Sequence, residues 1–150
     1  MDIWPNTKAR QVPEVKKIIM KIFFLNMGHA ATPHRASDGC EVRRVDYPLP
    51  NISDPSDPAE VDEVAMVLLW KQADEIRSVL LNGELIVMGL LGAAGIAVGF
   101  IAALAGLLGF MPRVLVATRT ETGFLYDLRR AFDLYEVREA ARRVRQELVF

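Results

Sequence analysis

The sequence holds one cysteine, Cys40, and two histidines, His29 and His34. A single thiol cannot close an internal disulfide, and nothing has the Cys/His spacing of a zinc site. Neither a disulfide scaffold nor a metal centre is therefore expected, and a reducing cytoplasm is the expected compartment. Charge of one sign is not in excess, since 18 Lys and Arg stand against 19 Asp and Glu for a net charge of −1. That excludes the basic footprint of a protein that grips long DNA. There is no Walker lysine after a glycine-rich loop and no full dinucleotide fingerprint, so no bound cofactor is expected. Internal repeats and low-complexity segments are absent. The apolar run Ile22–Leu25 is too short for a secretory signal core, with Asn26, Gly28 and His29 immediately after it.

What is present fits one globular domain. The chain has 150 residues, 51% of them apolar and 25% charged, enough to bury a core without staples. Residues 1–19 show no periodicity and read as a short, basic, flexible extension, with the domain occupying 20–150. Met20–Asn26 (MKIFFLN) has the composition of a strand, residues 41–47 of a second short strand, and 48–58 of a Pro/Asp/Ser loop. Asp57-Pro58-Ala59-Glu60 has the form of a capping box with proline at the first helical position. Val61, Val64, Ala65, Leu68, Leu69, Ile76, Val79 and Leu80 then keep helical spacing up to Asn82-Gly83. Met66, Val67 and Trp70 widen that arc, which predicts a helix buried on two sides. Charge is uneven: residues 51–84 carry eight acids against Lys71 and Arg77, and 113–150 carry eight arginines against six acids.

The stretch 85–112 has no charged or strongly polar side chain. Its length suits a single membrane span, and Gly95-x-x-x-Gly99 suits close helix packing. Its punctuation favours another reading. Leu85–Met88 is a buried strand, Gly89 and Gly92 a turn, Ala93–Leu108 an apolar helix, Gly109 its C-cap, and Val114–Thr118 a further strand, which together make a βαβ unit. The helix is then expected to be buried in the sheet layer or at an interface. Phe124–Phe132 is read as a strand, and Asp133–Glu136 as a second capping box opening a helix. That helix has Val137, Ala140, Ala141, Val144 and Leu148 on one side. The order of elements predicts an α/β fold, a small Rossmann-like sheet with helices on both faces.

Chemistry gathers after the first strand. Ligands of open parallel sheets sit beyond the carboxyl ends of strands. There Asn26 offers amide recognition, Gly28 close backbone approach, His29 a donor or proton carrier, Thr32 a hydroxyl and Arg35 a fixed cation. His34 reads as a surface residue. Gly92 at the start of the apolar helix, and Thr118 with Arg119 at a strand exit, are further ligand-binding candidates.

The strand ending in Asn26, followed by Gly28-His29 and Thr32-Pro33, resembles the start of small Rossmann-like proteins associated with type III CRISPR systems. These belong with the ring nucleases and other CARF-like binders of cyclic oligoadenylate. The resemblance extends to 85–110, the strand after Pro112 and the closing segment Leu128–Arg143. It departs where Gly28 replaces an expected serine and Ala30 an expected proline. It implies a cytoplasmic homodimer that binds cyclic tetra-adenylate or a similar ring and damps antiviral signalling by sequestration or by cleavage. Such cleavage would use the ribose 2′-OH without metal, with His29 as the catalytic group. No DNA and no membrane partner are implied.

Overall fold

A computed structural model describes residues 20–47, 52–90 and 94–148. Residues 1–19, Gly92 and the first part of the loop assigned to 48–58 lie outside them. Strand β1 (Met20–Asn26) has buried residues from Ile22 onward on both its faces, because it lies between two parallel neighbours. Those neighbours are β3 (Cys40–Asp46) and β4 (Leu85–Gly89). Beyond β4 come β5 (Arg113–Leu115), also parallel, and the short antiparallel β8 (Phe132–Asp133), giving the order β3-β1-β4-β5-β8. The chain therefore adopts the α/β, Rossmann-like class that its sequence predicts. Its strand order turns between β1 and β4, where Asn26 pairs with Gly89.

Two helices cover one face. Helix α1 (Pro58–Leu81) and helix α2 (Ala94–Leu108) contribute Val61, Ala65, Ile76, Val79, Phe100 and Leu104 to a core with Phe23, Leu25, Ile86, Met88 and Val114. The opposite face, Ile22, Phe24, Val87 and Leu115, is covered by Tyr126 and Leu128. These come from β7 (Gly123–Asp127) and a 3-10 turn, Leu128–Arg130. Strand β7 is the middle of a second, three-stranded sheet, between β2 (His34–Arg35) and β6 (Thr118–Thr120). No helix covers this face among the described residues. The β1–β3 connection carries Gly28, Pro33 and Gly39 and lacks an apolar stripe, so it forms turns and β2 instead.

Several finer expectations are corrected. The stretch 85–112 is no single span. It divides into β4, the 15-residue α2 and β5, and 15 residues reach only about 22 Å against the ~30 Å of a bilayer core. No helix among the described residues is long and apolar enough to cross a membrane. Gly109, at φ +82°, ends α2 as a glycine C-cap should. The strand predicted to reach Thr118 stops at Leu115, and Thr118 opens β6 in the other sheet. The segment 124–132 is broken at Asp127, whose side chain caps the 3-10 turn.

Asp57 caps α1 by accepting from Ala59 N, but Glu60 does not complete the box. Its carboxylate is taken by Ser53 and the Asp54 amide. The two-sided burial predicted for α1 is also absent, since Met66 and Val67 are half exposed and Trp70 is 75% exposed. In α2, Ile96, Phe100 and Leu104 are buried, whereas Val98 and Leu107 face outward.

Gly89 and Gly106 test how far packing dictates glycine. A Cβ on Gly89 would lie 2.8 Å from Asn26 Oδ1 and 2.9 Å from Phe24 Cε1, while one on Gly106 meets nothing within 4 Å. In urea denaturation, Gly89→Ala should lower stability by about 1–3 kcal/mol. Gly106→Ala, inside α2, should raise it by about 0.5–1 kcal/mol. Equal effects of one sign would contradict the packing described.

Candidate functional site

The carboxyl end of β1 is organised by one side chain. Asn26 is 0% exposed, and its amide is spent internally. Nδ2 donates to His29 O at 3.1 Å and to Asp46 Oδ1 at 2.8 Å, and Oδ1 accepts from Gly28 N at 2.9 Å. Asn26 therefore builds the loop and does not project an amide toward a ligand. The loop is closed again by Thr32 N donating to His29 O, and by Tyr126 N donating to Pro33 O. His29 is thus held by its backbone while its imidazole is exposed.

Gly28 is dictated by its surroundings. A Cβ there would collide with the Tyr126 hydroxyl and lie 2.9 Å from Leu90 O. A serine at this position would press against the Tyr126 hydroxyl and the Leu90 carbonyl, so one of them would have to shift. Burial pushes the Tyr126 phenol above its ordinary pKa, partly offset by the His29 backbone and the charge of Arg44.

Arg44, on β3, carries the arrangement across to the second sheet. Its Nε donates to Asp46 at 2.8 Å, its Nη2 to Ala30 O at 3.2 Å, and its Nη1 lies 3.2 Å from His34 Nδ1. The guanidinium also lies over Phe24, against whose edge His34 and Tyr126 pack. His34 is exposed, as expected of a surface residue, and is tied to Arg44 and Phe24. Partial burial and then the adjacent Arg44 lower its pKa, against an opposing pull from Asp46. For Asp46, burial acts to raise the pKa, but bonds from Asn26 and Arg44 outweigh it and leave the carboxyl below its usual range.

Arg35 reaches Asp127 Oδ2 at 3.1 Å, and Arg129 donates to both oxygens of the same carboxylate at 2.8 Å. Asp127 is 5% exposed, yet both arginines remain about half exposed. One buried carboxylate thus fixes two guanidiniums and leaves each with further outward donors. Thr118 and Arg119 lie on β6, which β7 separates from β2 and Arg35. Thr32 is half-buried in the turn. Sequence reasoning found Arg35 and missed Arg44, Asp46, Asp127 and Arg129. Two of these lie in an ordinary edge-strand pattern, and the others fall inside the strand expected over 124–132, so their meetings depend on pairing between distant segments. Among the described residues no three His, Cys, Asp or Glu side chains are grouped to hold a metal.

No family model, no curated protein and no solved structure matches the chain.

Two outcomes test this geometry. Gly28→Ser should destabilise the protein, and adding Tyr126→Phe should recover part of the loss, so that the pair is non-additive by 0.5 kcal/mol or more, on the order of contacting residues. Strict additivity would show that the hydroxyl does not set the glycine. The second concerns Asp127, whose pKa is driven well down by Arg129, with burial opposing and Arg35 assisting. A carboxyl lowered in the folded state stabilises above its unfolded pKa, about 4, and that contribution is lost as pH falls through the lower folded value. Asp127→Asn should therefore be less stable than the parent at neutral pH, and the gap should narrow in acid-titration melts below about pH 4. A gap independent of pH would contradict the ion pairing.

Proposed function

We propose that the loop Met27–Pro33 and the arginine fork on Asp127 bind an anionic nucleotide, of the cyclic oligoadenylate kind that the sequence resemblance implies. One observation carries the reading. At the turning point of a parallel sheet, the Gly28 amide and the His29 and Ala30 carbonyls are bonded internally while the His29 imidazole is exposed, and on the second sheet Arg35 and Arg129 keep outward donors beside Asp127. Parallel α/β sheets bind ligands at this end, and arginine forks match phosphate geometry. A nearly neutral protein needs only such a local focus to hold a small ring of phosphates.

Binding alone would sequester the second messenger. If the ring is also opened, the ribose 2′-OH attacks its own phosphorus, the bond to the 5′ oxygen breaks, and a 2′,3′-cyclic phosphate and a 5′-hydroxyl form. His29 would then carry the proton from the 2′-OH toward the departing 5′ oxygen, and the arginines would stabilise charge on the phosphoryl oxygens. On this reading the protein is a cytoplasmic damper of type III antiviral signalling, acting as a homo-oligomer without cofactor.

Labelled cyclic tetra-adenylate, followed by filter binding and by chromatography of the products, tests both steps. His29→Ala should weaken binding by about ten- to a hundredfold, as for one hydrogen bond to a charged partner. If there is cleavage, it should fall by a further factor on the order of a hundred. Arg129→Gln should weaken binding, and because it also removes the paired donors from the buried Asp127 it should lower stability, so its binding is compared where circular dichroism shows the variant folded. Failure of the wild-type chain to bind cyclic tetra- or hexa-adenylate would overturn the reading. Retained binding without products would assign the protein to sequestration.

A further inference from the structure

The second sheet carries an aromatic side chain that neither the core nor the arginine fork uses. Phe124, on β7, is 57% exposed, although Tyr126 two residues on is buried. Side chains two apart on a strand share a face, so Phe124 lies on the face of Tyr126. That face packs on the main sheet, with the Tyr126 and Phe24 ring centroids 5.2 Å apart. A further residue on it would be buried if the main sheet continued beneath.

The strand register explains why Phe124 is not. Strands β2 and β7 run parallel, His34 is registered with Tyr126, and Tyr126 N donates to Pro33 O. The same register carried back two residues, about 6.8 Å along the strand, sets Phe124 level with Thr32. The Tyr126 hydroxyl already reaches Gly28, beyond the carboxyl end of β1. Phe124 therefore stands on the loop's side of Tyr126, where the main sheet has ended and the exposed His29 belongs to the same loop.

Its cross-strand partner is a cation. In the β6–β7 ladder Arg119 is registered with Phe124. Registered residues of an antiparallel pair share a face, with Cβ atoms about 4.5–5.5 Å apart. Arg119 is exposed as well. Thr120 Oγ1 donates to Gly123 O at 3.2 Å, which closes the turn and fixes the hairpin that presents the pair. An exposed ring alone is ordinary surface. A ring and a guanidinium on one face, beside a loop with an exposed imidazole, offer what a nucleotide needs: a flat apolar surface for the base and a fixed charge for its phosphate.

Resting on the nucleotide reading above, we propose that Phe124 is the base-stacking residue of that site and that Arg119 holds a phosphate of the same nucleotide. The two fused rings of a purine cover more of the phenyl face than the single ring of a pyrimidine. The contact thus selects adenylate over uridylate by stacking, without a hydrogen bond to the base edge.

Filter binding to the full chain tests it, with the labelled adenylate ring that the wild-type chain holds, tetra- or hexameric, and the uridylate ring of the same size. The wild-type chain should prefer the adenylate ring. Phe124→Ala should weaken adenylate binding by about ten- to a hundredfold, the loss of one stacked base, and bring the two rings close together in affinity. Phe124→Trp should restore both affinity and preference, whereas Phe124→Leu, apolar but without a π-face, should restore neither. Arg119→Gln should weaken both rings alike and keep the preference. If Phe124→Ala fails to fold by circular dichroism, the comparison of Phe124→Leu with Phe124→Trp decides. Unchanged adenylate binding in Phe124→Ala, an equal loss for both rings, or a Phe124→Trp variant no better than Phe124→Leu would overturn this inference and leave the nucleotide reading standing. A wild-type chain that holds no adenylate ring would overturn the nucleotide reading and this inference with it.

Discussion

The buried amide of Asn26 is the contact on which the loop end of the molecule depends. It ends the central strand, turns the chain through Gly28, holds the His29 carbonyl and fixes Asp46 on the neighbouring strand. A buried amide left without partners costs on the order of 1–3 kcal/mol per group, so the loop and the two strand ends must keep one arrangement. Asp46 then orients Arg44, and Arg44 orients His34 and the Ala30 carbonyl. The second sheet is tied to the first through this chain of bonds and through Phe24, which packs against both His34 and Tyr126.

On the proposed nucleotide reading, the bonds within this loop have a functional consequence. A loop that satisfies its own polar groups loses little conformational entropy when a ligand arrives, so the donors that remain exposed are ready to act. Asp127 does the same for its two arginines, holding their charges near each other by supplying a buried counter-charge. The two halves of the molecule are thereby specialised. The loop end and second sheet concentrate polar, directional chemistry, while the helix layer concentrates unpartnered apolar surface.

Much of this was readable in one dimension. The strand Met20–Asn26 coincides with its predicted bounds, because seven residues rich in β-formers end at a residue that must turn the chain. The helix after Asp57 and its stop at Gly83 follow from capping chemistry and a positive φ, both local properties. The 85–112 stretch was ambiguous in composition alone, and glycine and proline punctuation resolved it. Where the reading failed, the cause was non-local. Glu60 has the right spacing for a capping box, yet Ser53 and Asp54 compete for it and win. Met66, Val67 and Trp70 have the composition of a buried arc, but no described element reaches them.

The sequence by itself determined the fold class, the order of most elements and the loop where His29 stands, because periodicity, caps and turn residues act over a few positions. Only the tertiary structure decided that Asn26 faces inward, that Gly28 answers to Tyr126, that Arg44 joins Asp46 to His34, and that Arg35 and Arg129 meet on Asp127. Those facts depend on strands and turns separated by up to about a hundred residues meeting in register, and no local pattern encodes which distant side chain will meet a given atom.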